Sequence, residues 1–67
     1  MTNEQIFLEL SMWSSKYEFN FQFWGKNNNN VFIAKDGIEL YESFGFPNPQ
    51  DAIIHALAYL AKINSKK

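Results

Sequence analysis

Val31-Phe32-Ile33-Ala34-Lys35-Asp36-Gly37-Ile38-Glu39-Leu40-Tyr41-Glu42 is the stretch on which the fold turns. Two runs rich in β-branched and aromatic residues flank Asp-Gly, the pair favoured where both central residues of a two-residue hairpin need positive φ. A loop of that length fixes the cross-strand partners, so Lys35 is expected opposite Ile38, Ile33 opposite Leu40 and Val31 opposite Glu42. One face would then carry Val31, Ile33, Ile38 and Leu40. The other would carry Phe32, Ala34, Glu39 and Tyr41.

Upstream, Tyr17, Phe19, Phe21 and Phe23 alternate with Glu18, Asn20, Gln22 and Trp24, a period-two pattern that predicts a first strand over about 17–24. Residues Gly25 to Asn30 tolerate left-handed backbone and prefer turns, which predicts an exposed loop before strands over about 31–35 and 38–44. If that loop is odd in length, the three Phe share the buried face with Ile33 and Leu40, leaving Trp24, Phe32 and Tyr41 on the open side. An even loop exposes the three Phe instead.

Helices are predicted at both ends. Thr2 and Gln5 have capping-box spacing, and Ile6, Leu10, Trp13 and Tyr17 form one stripe of a helix over about 3–16. Leu8 and Met12 lie on nearly its opposite side and are expected to be wet in a monomer. Asn48 as N-cap, Pro49 in the first turn and Asp51 near the positive end of the dipole start a helix over about 49–64. Its apolar stripe is Ile53, Ala56, Leu57, Leu60 and Ile63. The whole chain, 1–67, thus reads as a single two-layer α+β domain in the order αβββα, a three-stranded antiparallel meander with two helices on one face.

Composition bounds function. A chain of 67 residues buries only about 60% of its unfolded surface, and with no Cys it cannot add a disulfide. One His without a thiol excludes a four-ligand zinc cage, and no metal or cofactor is expected. Six Lys against seven acids give a net charge of −1, and the absence of Arg removes the residue best suited to phosphate and guanine, so nucleic acid is not an expected partner. The cations at Lys62, Lys66 and Lys67 suit the negative end of the second helix. No apolar run approaches a membrane span and the first residues lack a basic secretory n-region, so a cytoplasmic, membrane-free protein is expected. Eight Asn, seven Phe and six Ile without Arg match AT-rich codon usage, which suggests a low-GC bacterium, a phage or a mobile element as source.

No reaction centre is legible. Asp51, His55 and Tyr59 share one side of the second helix, and a carboxylate can orient a titrating imidazole. Such i, i+4 surface pairs are ordinary, however, and no nucleophile attaches to this one. Glu39 and Glu42, three apart on a strand, are expected to face opposite ways. The order αβββα resembles that of double-stranded RNA-binding domains. Those domains open the second helix with a basic cluster, where this chain has Pro49, Gln50 and Asp51, so neither activity nor residues carry over.

The expected function is a non-catalytic interaction module: an accessory protein, inhibitor or adaptor, that binds a protein partner or itself as a homodimer. Its expected surface is Trp24, Phe32 and Tyr41 on the open sheet face, with Leu8 and Met12 as a second patch. One alternative is an oligomeric binder of a small planar, nucleotide-like ligand. A weaker one is nucleic-acid binding by aromatic stacking.

Overall fold

A computed structural model describes residues 2–65. Its elements, in chain order, are α1 (Asn3–Trp13), β1 (Glu18–Phe23), β2 (Asn29–Lys35), β3 (Ile38–Phe46) and α2 (Pro49–Asn64). The strands form one antiparallel sheet in the order β1-β2-β3. The chain therefore has the α+β meander with two helices.

Both helix starts follow from their caps. The Thr2 hydroxyl accepts from the Gln5 N–H while the Gln5 side chain accepts from the Thr2 N–H, closing the capping box. Asn48 Oδ1 accepts from the Asp51 N–H at 2.8 Å, ahead of Pro49. α1 ends at Trp13, three residues short of the expected 16. There Ser14 and Ser15 turn their hydroxyls onto the carbonyls of Ser11 and Met12, an alternative to helical bonding that serine favours. Lys62 sits in the last turn of α2, as the dipole prefers; Lys66 and Lys67 lie outside the described residues.

The core joins Val31 and Ile33 of β2 to Ala52, Ala56 and Leu60 of α2, with Tyr17 closing one end. Ile6 and Leu57 are also buried. Gln50 Nε2 donates to Asn3 Oδ1 at the two N-termini, and Asn64 Nδ2 donates to the Tyr17 hydroxyl at the other end, so the helices run side by side in the same direction. α2 lies over β2 and β3, and α1 stands on the β1 side of α2.

Three sequence expectations need correction. Asn29 and Asn30 do not belong to an exposed loop: they begin β2 and are buried. Asn29 Nδ2 donates to the Gly25 and Phe46 carbonyls at 2.7 and 2.9 Å, and Asn30 Oδ1 accepts from the Gly45 N–H at 3.0 Å. These amides take main-chain groups at the irregular end of the sheet, which offsets part of the cost of their burial, while Asn29 Oδ1 is buried without a hydrogen-bond partner among the described residues.

The hairpin register also changes. Asp36 and Gly37 both have positive φ, 54° and 80°, and fix Lys35 opposite Ile38 and Ala34 opposite Glu39 as expected. Leu40 is then an extra residue, and Ile33 pairs with Tyr41, Phe32 with Glu42 and Val31 with Ser43. A second irregularity at Phe44-Gly45, with Gly45 at φ 75°, carries β3 on to Phe46 opposite Asn29.

The third correction follows from the second. A one-residue insertion moves every later side chain to the other face. Tyr41 therefore lies on the helix side, stacked on Tyr59 with ring centroids 4.8 Å apart, rather than on the open face. Leu40 is displaced from the core and left exposed, while the Tyr59 hydroxyl donates to its carbonyl at 3.1 Å. Glu39 and Glu42 come onto one face instead of two.

Candidate functional site

Each surface left open in this fold has a local cause. The loop 24–28 is odd in length, so Phe19, Phe21 and Phe23 share the helix-side face with Ile33 and Val31. They form a ladder with centroid separations of 5.7 and 5.6 Å. Only Phe19 is half-buried. Phe21 and Phe23 keep 39% and 43% of their surface because α2 covers the other two strands and α1 stands off from β1.

Between α1 and β1 runs a groove of about 520 Å³, walled by Phe7 and Leu10 on the helix and by Phe19 and Phe21 on the strand. Phe7 is 70% exposed. It lies about 100° round the helix from Ile6, off the stripe expected in the core, although that angle places it on the flank beside Leu10. Leu8 and Met12, expected to be wet, are both exposed. Leu8 shares a shallow hollow with Phe7, Asn3 and Glu4, which links the second patch to the groove.

The open face of the sheet is different in chemistry. It carries Phe32, whose ring meets that of Phe44 edge to face at 5.3 Å. Phe44 is exposed, and its place beside Phe32 was hidden by the β3 irregularities. Around Phe32 a depression of about 490 Å³ is lined by Glu18, Asn20, Gln22, Ala34 and Glu39. Of the residues expected here, Phe32 is present and half-buried, Tyr41 is on the other side, and Trp24 stands exposed at the end of β1. The exposed aromatics thus form a cluster at the β1 side of the molecule and a smaller pair on the open face.

Glu39 and Glu42 on that face interact. A hydrogen bond with Glu42 raises the Glu39 carboxyl above its usual 4.5, and partial desolvation and the like charge of Glu42 act in the same direction. The folded state therefore favours protonated Glu39. Its contribution to stability is fully present below about pH 4.5 and is lost as pH rises through the higher folded value. In an NMR titration, Glu39 should titrate above 4.5, and Glu42→Gln should bring it back down. An unchanged Glu39 midpoint in that variant would show that the two carboxyls do not share a proton.

Asp51, His55 and Tyr59 are drawn to separate partners. The Asp51 carboxylate accepts from Asn48 Nδ2, the His55 ring packs on Phe46 at 4.7 Å, and Tyr59 bonds the Leu40 carbonyl. Among the described residues no hydrogen bond joins the three to one another. Nor does any group of three or more His, Asp or Glu converge there to hold a metal ion. No helix among the described residues is long and apolar enough to cross a membrane. Comparison with protein-family models, curated proteins and solved structures finds no match.

Proposed function

We propose that this chain is a small non-catalytic interaction module that binds a protein partner, or a second copy of itself, through the exposed aromatics on its β1 side. The observation that carries the reading is the ladder of Phe19, Phe21 and Phe23, left half-open by the helices and bordered by exposed Phe7, with exposed Trp24 directly after β1. A contiguous apolar surface of this kind, in a domain too small to hide it, is the usual mark of an interface. Inhibitor or adaptor is the role such a module would serve, in the cytoplasm of a low-GC bacterium or as a phage or mobile-element product.

The open face ranks second. It offers an uncharged planar ligand one ring and the amides of Asn20 and Gln22, but Glu18, Glu39 and Glu42 surround that ring and disfavour a phosphate or a nucleic-acid strand.

Phe7→Ala and Trp24→Ala remove rings that are 70% and 69% exposed, so each should leave folding within about 0.5 kcal/mol of the parent. Each is expected to weaken capture of the binding partner at least about tenfold, and together about a hundredfold or more, while Phe44→Ala on the open face leaves it intact. Quantitative pull-down or titration calorimetry reads the difference. Should the two β1-side variants bind like the parent, the reading fails.

A further inference from the structure

We propose that the partner of the β1 edge is a second copy of this chain, joined strand to strand about a two-fold axis at Phe21, so that two three-stranded sheets become one of six strands. This deepens the interaction-module reading and rests on it.

The two edges of the sheet are treated differently. β3 has an extra residue at Leu40 and a second irregularity at Phe44-Gly45, and carries Glu39 and Glu42. Side chains occupy main-chain groups that those irregularities release: the Tyr59 hydroxyl takes the Leu40 carbonyl and Asn30 takes the Gly45 N–H. Bulges, charges and capped main-chain groups are how an edge is kept from pairing. β1, Glu-Phe-Asn-Phe-Gln-Phe, has no bulge, Pro, Gly or Lys, and its one charge is at its first residue.

The main-chain groups along β1 point the right way. Trp24 N–H donates to the Asn28 carbonyl, continuing the register that pairs Phe23 with Asn29. In an antiparallel ladder, alternate residues bond to the same neighbour, so Gln22, Asn20 and Glu18 turn their N–H and C=O toward β2. Those of Phe19, Phe21 and Phe23 face outward. Among the described residues, no side chain bonds them.

Pairing β1 with its copy must place like faces together, which requires residues of the same parity opposite one another. Centred on Phe21, the register sets Phe21 against Phe21 and Phe19 against Phe23 of the second copy. Every outward N–H and C=O of the three then has a partner. The rings merge into one ladder on the helix side, roofed by Phe7 and Leu10 from both copies. On the other face Asn20 meets Gln22 and Glu18 meets Trp24, so no carboxylate faces another. A register centred on Asn20 leaves Phe23 unpaired.

The rings supply much of the area a dimer needs. At about 200 Å² per ring, the exposed fractions of Phe7, Phe21, Phe23 and Trp24 leave about 440 Å² per copy, or about 900 Å² for two. Main chain and Phe19 add to this, toward the roughly 1,200 Å² at which stable interfaces begin.

The test uses the full chain. Light scattering at micromolar concentration should give twice the 7.9 kDa monomer mass, and Phe21→Lys, which puts two cations on the axis, should weaken the dimer by about a hundredfold or more. Hydrogen exchange of the parent should show the Phe19, Phe21 and Phe23 amides gaining protection with concentration while Asn20 and Gln22 are protected throughout. Because Phe21→Lys could disturb the ladder within one copy, cysteine pairing supplies an independent check. The chain has no Cys of its own. Phe21→Cys should cross-link to itself under mild oxidation, and Phe19→Cys mixed with Phe23→Cys should give only the mixed dimer, since opposed residues in a bonded pair lie about 5.5 Å apart. A monomer at all concentrations, or cross-linking no faster at position 21 than at Leu8→Cys, overturns self-pairing. If that monomer still loses a foreign partner on Phe7→Ala, the interaction-module reading stands without the dimer. If no dimer forms and Phe7→Ala and Trp24→Ala also leave partner capture unaffected, that reading itself falls.

Discussion

Ile33→Ala is expected to abolish the folded state near physiological temperature, the largest effect of any single substitution considered. Ile33 lies in the central strand, fully buried, facing Phe19 on one side and Tyr41 on the other with Ala56 and Leu60 in the cluster beneath. Truncating such a residue costs about 2–5 kcal/mol, part for the lost transfer of its methyl groups and part for the cavity. A domain of this length has about 3–10 kcal/mol in total, with no disulfide in reserve. The measurement is a urea or thermal transition followed by circular dichroism: the midpoint should fall by at least about 10 °C or the cooperative transition should vanish. Ile33→Val, which keeps most of the volume, should cost only about 0.5–1.5 kcal/mol. A variant Ile33→Ala that unfolds like the parent would mean that β2 is not the centre of the core.

Asn29→Ala should come next, at about 1–3 kcal/mol, although it alters a polar residue in a run of four asparagines. Its amide holds the β1–β2 loop to the end of β3, through the Gly25 carbonyl on one side and the Phe46 carbonyl on the other. Alanine leaves the part-buried Phe46 carbonyl without that donor. Asn29→Asp should be worse than alanine, because it turns a carboxylate toward two carbonyl oxygens in a buried place. Asn28→Ala, exposed and in the turn, should stay within about 0.5 kcal/mol of the parent. Denaturant midpoints of the three variants should therefore rank Asn28→Ala above Asn29→Ala above Asn29→Asp. Equal effects at positions 28 and 29 would refute a structural role for the buried amide.

The candidate surface was partly legible. Leu8 and Met12 were readable as exposed because a helical angle depends on nothing but spacing, and Phe7 could have been found by the same arithmetic. Phe32 and Trp24 were placed by strand alternation, which holds as long as the ladder is regular. Tyr41 was misplaced, and Phe44 overlooked, because alternation does not survive an inserted residue. The importance of β1 as an edge was not visible in its own residues. It emerges from which strand the helices leave uncovered, and from the contrast with a second edge that is bulged and capped.

Locally encoded features came from the sequence alone. The capping box at Thr2, the Asn48-Pro49 start, the positive-φ turn at Asp36-Gly37 and the alternating rings of β1 each depend on residues within a few positions of one another, so the element order and the meander followed from them. The tertiary structure decided what those elements do to each other. Tyr59, eighteen positions beyond Tyr41 in the chain, stacks on it and bonds the Leu40 carbonyl; Asn29 reaches across to Phe46. These are competitions among distant groups for one small interior. Their outcome sets the faces of β3 and the fate of the asparagines, and no neighbouring residue records it.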